Sequence, residues 1–150
     1  MKRLVLALTA VATLGLALPA SAQFAKPEDA IKYRKAAFTV MAKHFGTIGG
    51  MVNDKIPFDA KAASVNADLV ATVSHLPFDG FVAGTDTGET KAKPEVWKEA
   101  DKFKAAATKM QDAVAKLATV AKGGDKGAIK AAFGDAGGTC KGCHDDFRNK

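Results

Sequence analysis

Six residues from its C-terminus the chain carries Cys140-Lys141-Gly142-Cys143-His144, and this pentapeptide constrains the fold more than any other stretch. On a helix Cys140 and Cys143 stand at i and i+3, with His144 at i+4 from Cys140, so all three side chains leave one side. Two thiols three apart, followed at once by an imidazole, form the attachment signature of a c-type haem. Two thioether bonds hold the porphyrin edge while the imidazole reaches the iron. A redox dithiol and half of a zinc site are the competing readings. The dithiol usually sits at a strand-to-helix junction of an α/β pattern, and zinc needs further Cys or His ligands that this chain lacks.

The N-terminus agrees on the compartment that such chemistry needs. Lys2 and Arg3 precede the apolar run Leu4 to Leu18, and Pro19-Ala20-Ser21-Ala22 follows. A charged start, an apolar middle and small residues make a secretory signal, cut after Ala22, so that 1–22 is leader and 23–150 the mature domain. The run falls short of the roughly 20 residues that span a bilayer, which weighs against an anchor. Losing Lys2 and Arg3 takes the formal charge from +6 to +4, spread along the chain. That balance reads as solvated lysines rather than a nucleic-acid surface. With both cysteines given to haem, no disulfide is left to stabilise the domain.

From Pro27 onward apolar residues recur at helical spacing, and the expectation is an all-α fold. The first helix opens at Pro27-Glu28-Asp29, with proline suited to N1 and acids to the positive end of the dipole. Ala30, Arg34, Ala37, Phe38, Met41, Phe45, Ile48 and Val52 share one face. Gly46, Gly49 and Gly50 forecast a bend, fraying or an end before Lys55. Asp59 caps a second helix with Phe58 as its staple and a buried stripe Ala62, Val65, Leu69, Val73, Leu76; Pro77 stops it. The glycine-punctuated loop from Pro77 to Lys93 is either a crossover or a flap over a cofactor edge. Pro94 begins a third helix with the seam Val96, Ala100, Phe103, Ala107, Met110, Val114, Leu117, Ala121, flanked by Trp97. Gly123-Gly124 ends it and Asp125 caps a fourth helix. There Ile129, Phe133, Ala136, Gly137, Cys140, Cys143, His144 and Phe147 share a face, with Gly137 leaving room for a flat ring. Four amphipathic helices joined by three connections make an antiparallel four-helix bundle with a core cofactor, attached to the last helix.

Taken together the mature region resembles cytochrome c′. The likeness rests on Gln23 to Ala30, Tyr33-Arg34, Pro94-Glu95-Val96-Trp97 and Cys140 to Arg148, and on an attachment motif near the C-terminus, where most other c-type cytochromes carry it near the N-terminus. The resemblance implies a periplasmic protein with one haem c, covalent through Cys140 and Cys143, and a high-spin, five-coordinate iron ligated by His144. It also implies binding of NO and CO more readily than O2, electron transfer with an unidentified redox partner, and a homodimer packed through the first two helices.

In methionine-ligated relatives of this fold the sixth ligand lies four residues after an arginine matching Arg34; here that position is Phe38, which has no lone pair. The distal side is therefore expected to be an apolar lid. The alternative is a six-coordinate, low-spin electron carrier completed by Met41, His44 or His75. Met41 on an apolar stripe reads as core and the histidines as surface groups. Arg34 is a charge within an apolar face and needs a partner. The resemblance assigns it the haem propionates; snorkelling to solvent is the other reading. The resemblance matches Lys35, Glu89 and Thr90 to positions along the haem edge and Arg148, at i+4 from His144, to an arginine beside the proximal imidazole; solvated surface side chains are the other reading of Lys35 and Arg148. No acid-base pair is placed on the distal face, so peroxidase-like turnover is not expected.

Overall fold

The computed structural model describes residues 23–150, and the signal segment expected over 1–22 lies outside the described residues. Five α-helices follow in order: α1 Pro27–Val52, α2 Ala60–Val73, α3 Glu95–Lys98, α4 Ala100–Ala121 and α5 Lys126–Phe147, with a 3₁₀ turn Leu76–Gly80 after α2. The long four pack in a closed ring, α1 on α2, α2 on α4, α4 on α5 and α5 back on α1. The molecule is an all-α, antiparallel four-helix bundle, with α3 a one-turn prelude to α4.

Local chemistry sets most of the helix ends. Pro27 begins α1 with Glu28 and Asp29 in its first turn. Asp59 Oδ1 accepts from the Ala62 N–H and Asp125 Oδ1 from the Ala128 N–H, each satisfying a donor that the first helical turn leaves orphaned. Gly124 adopts φ +72° in the turn before Asp125. Helix α1 runs through Gly46, Gly49 and Gly50 without a break. A Cβ on Gly49 would lie 2.6 Å from Phe133 Cζ; its absence lets Phe133 pass and stack on Phe45 at 4.3 Å. The glycine that makes room is thus Gly49. Gly137, expected to admit a flat ring, meets Phe45 at ordinary contact distance.

Two expectations are corrected. On α2 the buried stripe is Ala63, Ala67 and Val70, whereas Val65, Leu69 and Leu76 are exposed and Ala62 and Val73 half-buried. Alanines let α2 lie close to α1 and α4, so the small residues face in and the larger ones out. The third helix is also not continuous. Glu99 breaks it at φ −115°, ψ 48°, and Ala100 of the expected seam is exposed. The turn before the break is held elsewhere: Val96 is buried, the Trp97 Nε1–H donates to the Val82 carbonyl, and the Lys93 N–H donates to the Phe147 carbonyl. From Ala107 the seam runs as expected, with Met110, Val114, Leu117 and Ala121 buried.

The bundle divides along its length. Met41 to Val52, Ala63 to Val70, Met110 to Ala121 and Ile129 to Ala136 fill one half with a continuous core. In the other half Arg34 to Ala42 of α1, the loop that follows the 3₁₀ turn and the end of α5 enclose space.

Gly80 locks the turn onto α1, since a Cβ there would lie 2.7 Å from the Ala30 carbonyl oxygen and 2.8 Å from Arg34 Cβ. Gly80→Ala should lower stability by about 1–3 kcal/mol through overpacking. Gly134→Ala, on an exposed helical position with nothing within 4 Å, should raise it by up to about 1 kcal/mol. Guanidinium denaturation of the haem-loaded protein reads both; equal effects would contradict the assignment of close approach to Gly80.

Candidate haem site

At the unpacked end lies a cavity of about 740 Å³. Helix α1 contributes Arg34, Lys35, Phe38, Thr39 and Ala42; the loop contributes Phe81 and Gly88 to Ala92; α3 and α4 add Val96 and Phe103; the C-terminal turn adds Cys143, His144, Phe147 and Arg148. Four phenylalanine rings, Phe38, Phe81, Phe103 and Phe147, stand in its walls. The rings of Phe81 and Phe103 meet at 4.9 Å and those of Phe103 and Phe147 at 5.2 Å, both edge-on, while Phe38 stands edge-on to Phe81 at 6.4 Å and to Phe78 at 6.0 Å.

Arg34, Lys35, Phe38, Glu89, Thr90, Cys143, His144 and Arg148, all singled out in the sequence, line this one cavity, and Cys140 does not. Cys140 packs instead against the main core, one turn deeper on α5, and both thiols are free. Burial raises the Cys140 pKa, and burial, then the neighbouring Cys140 and Asp146, push the Cys143 thiol up to about 11. Both sulfurs therefore stay protonated at neutral pH. The His144 pKa is lowered, first by burial and next by the Arg148 cation, with Asp145 opposing. A neutral imidazole with a free lone pair is the form that can serve iron.

Arg34 organises the cavity's outer edge. It is only 2% exposed, so the snorkelling reading is excluded. Within the protein the loop supplies its partners. NH1 donates to the Gly80 carbonyl at 2.8 Å and Thr85 Oγ1 at 2.7 Å; NH2 donates to the Thr85 carbonyl and Thr90 Oγ1, both at 2.7 Å. The guanidinium also covers the Phe81 ring at 4.4 Å and approaches Trp97 at 5.7 Å. Four of its five N–H donors are thereby committed to the loop. Burial lowers its pKa from the usual range.

The other end of the loop is laced to α5. The Lys93 and Asn149 N–H groups donate to the Phe147 and Lys91 carbonyls at 2.9 and 2.8 Å. Lys93 Nζ donates to the carbonyls of Asp145 and Asp146 at 2.7 and 3.1 Å, placing a cation on orphaned acceptors at the negative pole of the helix. Between these ties, Lys35 Nζ donates to the Glu89 carbonyl at 3.2 Å. The loop is thus a flap on the cavity rather than a plain crossover.

The rival iron ligands lie elsewhere. Met41 is buried in the main core, His44 Nδ1 lies 2.8 Å from Asn66 Oδ1, and His75 is exposed beside the 3₁₀ turn. What sequence reasoning missed are Phe78 and Phe81, which join the expected Phe38, Phe103 and Phe147 around the cavity. Their signal was present: Phe78 and Phe81 are two phenylalanines in a polar loop and need an apolar home.

The donor set fits a haem. Two thiols and a neutral imidazole stand one turn apart, the imidazole and one thiol opening into a large cavity walled by rings and edged by Lys35, Lys91 and Arg148. A four-helix bundle carrying that site at the end of its last helix defines a class, the c-type cytochromes built on a helical bundle. The family model described as Cytochrome C' matches residues 29–148. Cytochrome c' of Rubrivivax gelatinosus is 55% identical over 129 residues, 85% of this chain and 100% of that protein, and its crystal structure superposes with a TM-score of 0.81. Cytochrome c prime from Shewanella frigidimarina is 45% identical, covering 85% of this chain and 99% of that one, with a TM-score of 0.82. A nitric oxide complex of a mutant of cytochrome c prime from Alcaligenes xylosoxidans is 44% identical over 85% of this chain and 99% of that one, with a TM-score of 0.80. The chain belongs to the cytochrome c′ family, whose members bind haem c covalently.

Arg34→Ala would strand two buried carbonyls and two hydroxyls and should cost the haem-loaded protein about 2–4 kcal/mol in guanidinium denaturation. Arg34→Lys, which keeps the charge but not the planar fork, should recover only part of that. A loss below about 1 kcal/mol in Arg34→Ala would show that the loop is held by other contacts.

Proposed function

We propose that the chain is an exported haem cytochrome that binds NO and CO at an open iron position and exchanges electrons with a redox partner. Cys140 and Cys143 would carry the thioether bonds, His144 would ligate the iron, and residues 1–22 are a cleaved leader directing the protein to the periplasm. Among the described residues no helix is long and apolar enough to cross a membrane. A haem so held supplies an iron that binds diatomic gases and changes oxidation state by one electron.

The observation that carries the reading is the composition of the cavity. Among the described residues His144 is the one imidazole lining it, while Met41 and His44 are committed to the core and to Asn66. Phe38, Phe81 and Phe103 exclude water and offer neither a sixth ligand nor an acid-base pair for turnover. Arg34 and Thr90 are bonded to each other, and Lys35 to the Glu89 carbonyl, so the nearest donors are already engaged. Without a donor, bound O2 would gain no support for its partial charge, a need that NO and CO have less. Arg148, beside the imidazole, favours its neutral form. Relatives of this family have been crystallised with nitric oxide and with carbon monoxide, which agrees with the assignment.

A homodimer through α1 and α2 belongs to the same reading. Val40, Val65, Leu69 and Leu76 are exposed on these helices and the turn that follows, and the His44–Asn66 bond sets Val40 and Leu69 one turn away on either helix. Sedimentation at micromolar concentration should give twice the chain mass; a monomer would contradict this part.

The visible spectrum tests the whole. A broad high-spin ferrous Soret band that shifts on adding NO is expected, while sharp low-spin α and β bands before any gas is added would contradict an open site. CO association should be slow and accelerate by about tenfold or more in Phe38→Ala, a change worth about 1.4 kcal/mol of barrier. Equal rates would remove Phe38 from the path of entry.

A further inference from the structure

Phe38 does not stand alone. Its ring sits edge-on to Phe78 at 79° and to Phe81 at 71°, and the latter two lie 6.2 Å apart on the 3₁₀ turn and its end. Phe78 and Phe81 together back the side of the Phe38 ring that faces away from the cavity, so the ring can swing out of the cavity only if one of them yields. Phe78 is backed by the main core, against which it packs. Phe81 belongs to the loop; the Arg34 guanidinium lies 4.4 Å over its ring, and Phe103 and Trp97 flank it at 4.9 and 6.2 Å.

That guanidinium is fixed in turn by Thr85, a fully buried hydroxyl residue. Thr85 Oγ1 accepts from Arg34 NH1 and donates to the Val82 carbonyl, both at 2.7 Å, while its own carbonyl accepts from NH2. The Val82 carbonyl also receives the Trp97 Nε1–H at 3.2 Å. One buried hydroxyl therefore ties the α1 arginine to the residue that follows Phe81.

We infer that Phe81 is a positioning residue for gas entry: pinned by the Arg34–Thr85 latch, it fixes how far the Phe38 ring can swing and so sets the rate at which a diatomic gas passes. The inference rests on the reading of Phe38 as the group that crowds the open iron position. A gate built this way is tuned from the loop without altering any residue that bonds the cofactor. Loosening the latch changes the frequency of ring motion while the closed arrangement remains the favoured one. Rates of association then rise, and absorption spectra of the unliganded protein stay the same.

Stopped-flow CO association and aromatic ring-flip rates by NMR in the diamagnetic ferrous CO form, both on the haem-loaded protein, test it. Thr85→Val keeps the shape but neither hydrogen bond of the hydroxyl; Phe81→Leu removes the buttress and is the second variant should Thr85→Val fold poorly. Both should speed CO association by about tenfold and raise the Phe38 flip rate, Thr85→Val with wild-type spectra; an interaction of this size lies within the range of a cation–π contact. Thr85→Ser, which restores the hydroxyl, should return both rates to the wild-type values. Added to Phe38→Ala, Thr85→Val should give no further acceleration. Wild-type rates in Thr85→Val and Phe81→Leu while Phe38→Ala accelerates would overturn the inference and leave the Phe38 reading intact. Failure of Thr85→Ser to rescue would also overturn it, by reducing the effect to general loosening. An unchanged rate in Phe38→Ala would defeat the underlying reading itself.

Discussion

The buried guanidinium of Arg34 is the interaction on which the functional half of this molecule depends. A charge removed from water is tolerable only when nearly every donor is matched, and here the match comes from three points of one loop, Gly80, Thr85 and Thr90. The requirement works in both directions. Arg34 can be buried because the loop folds over it, and a 14-residue segment with no helix of its own, 81–94, is ordered because Arg34 gives it a fixed point. The aromatic residues brought in with that loop then complete the cavity.

The same division of labour runs along the bundle. Close packing of Ile48, Val52, Val70, Val114, Leu117 and Ile129 supplies stability at one end, which frees the other end to enclose space. Helix α5 joins the two. Its first half is packed and its last turns carry the attachment residues, although Gly127, Gly134, Gly138 and Gly142 make it a weak helix by propensity. Lacing by Lys93 and Asn149 holds its C-terminal end against the loop, so the imidazole is presented from a braced turn. A covalently held ring stacked into the aromatic walls would supply the contacts that the open half lacks.

Much of this was legible in the sequence because it is encoded locally. Pro27, Asp59 and Asp125 mark helix starts through chemistry that operates within four residues, and the pentapeptide at 140–144 carries its spacing with it. The parts that were not legible are set by tertiary competition. Two apolar stripes were available to α2, and the smaller one, Ala63, Ala67 and Val70, won because it permits closer approach. Glu99 has no propensity to break a helix; the break follows from α3 being tied to the loop. Arg34 was recognisable as a charge needing partners, but they lie 46 to 56 residues away, where no pattern near Arg34 points. Phe81 was missed for the same reason, its significance depending on what Arg34 does.

The central claim is that α5 offers one axial ligand and that the remaining walls offer none. X-ray absorption at the iron edge of the ferrous, haem-loaded protein tests it most directly, because it counts and identifies the atoms bonded to the metal. The account predicts a five-coordinate iron whose single axial neighbour is an imidazole nitrogen. An axial sulfur shell at thioether distance, or a second imidazole, would contradict it.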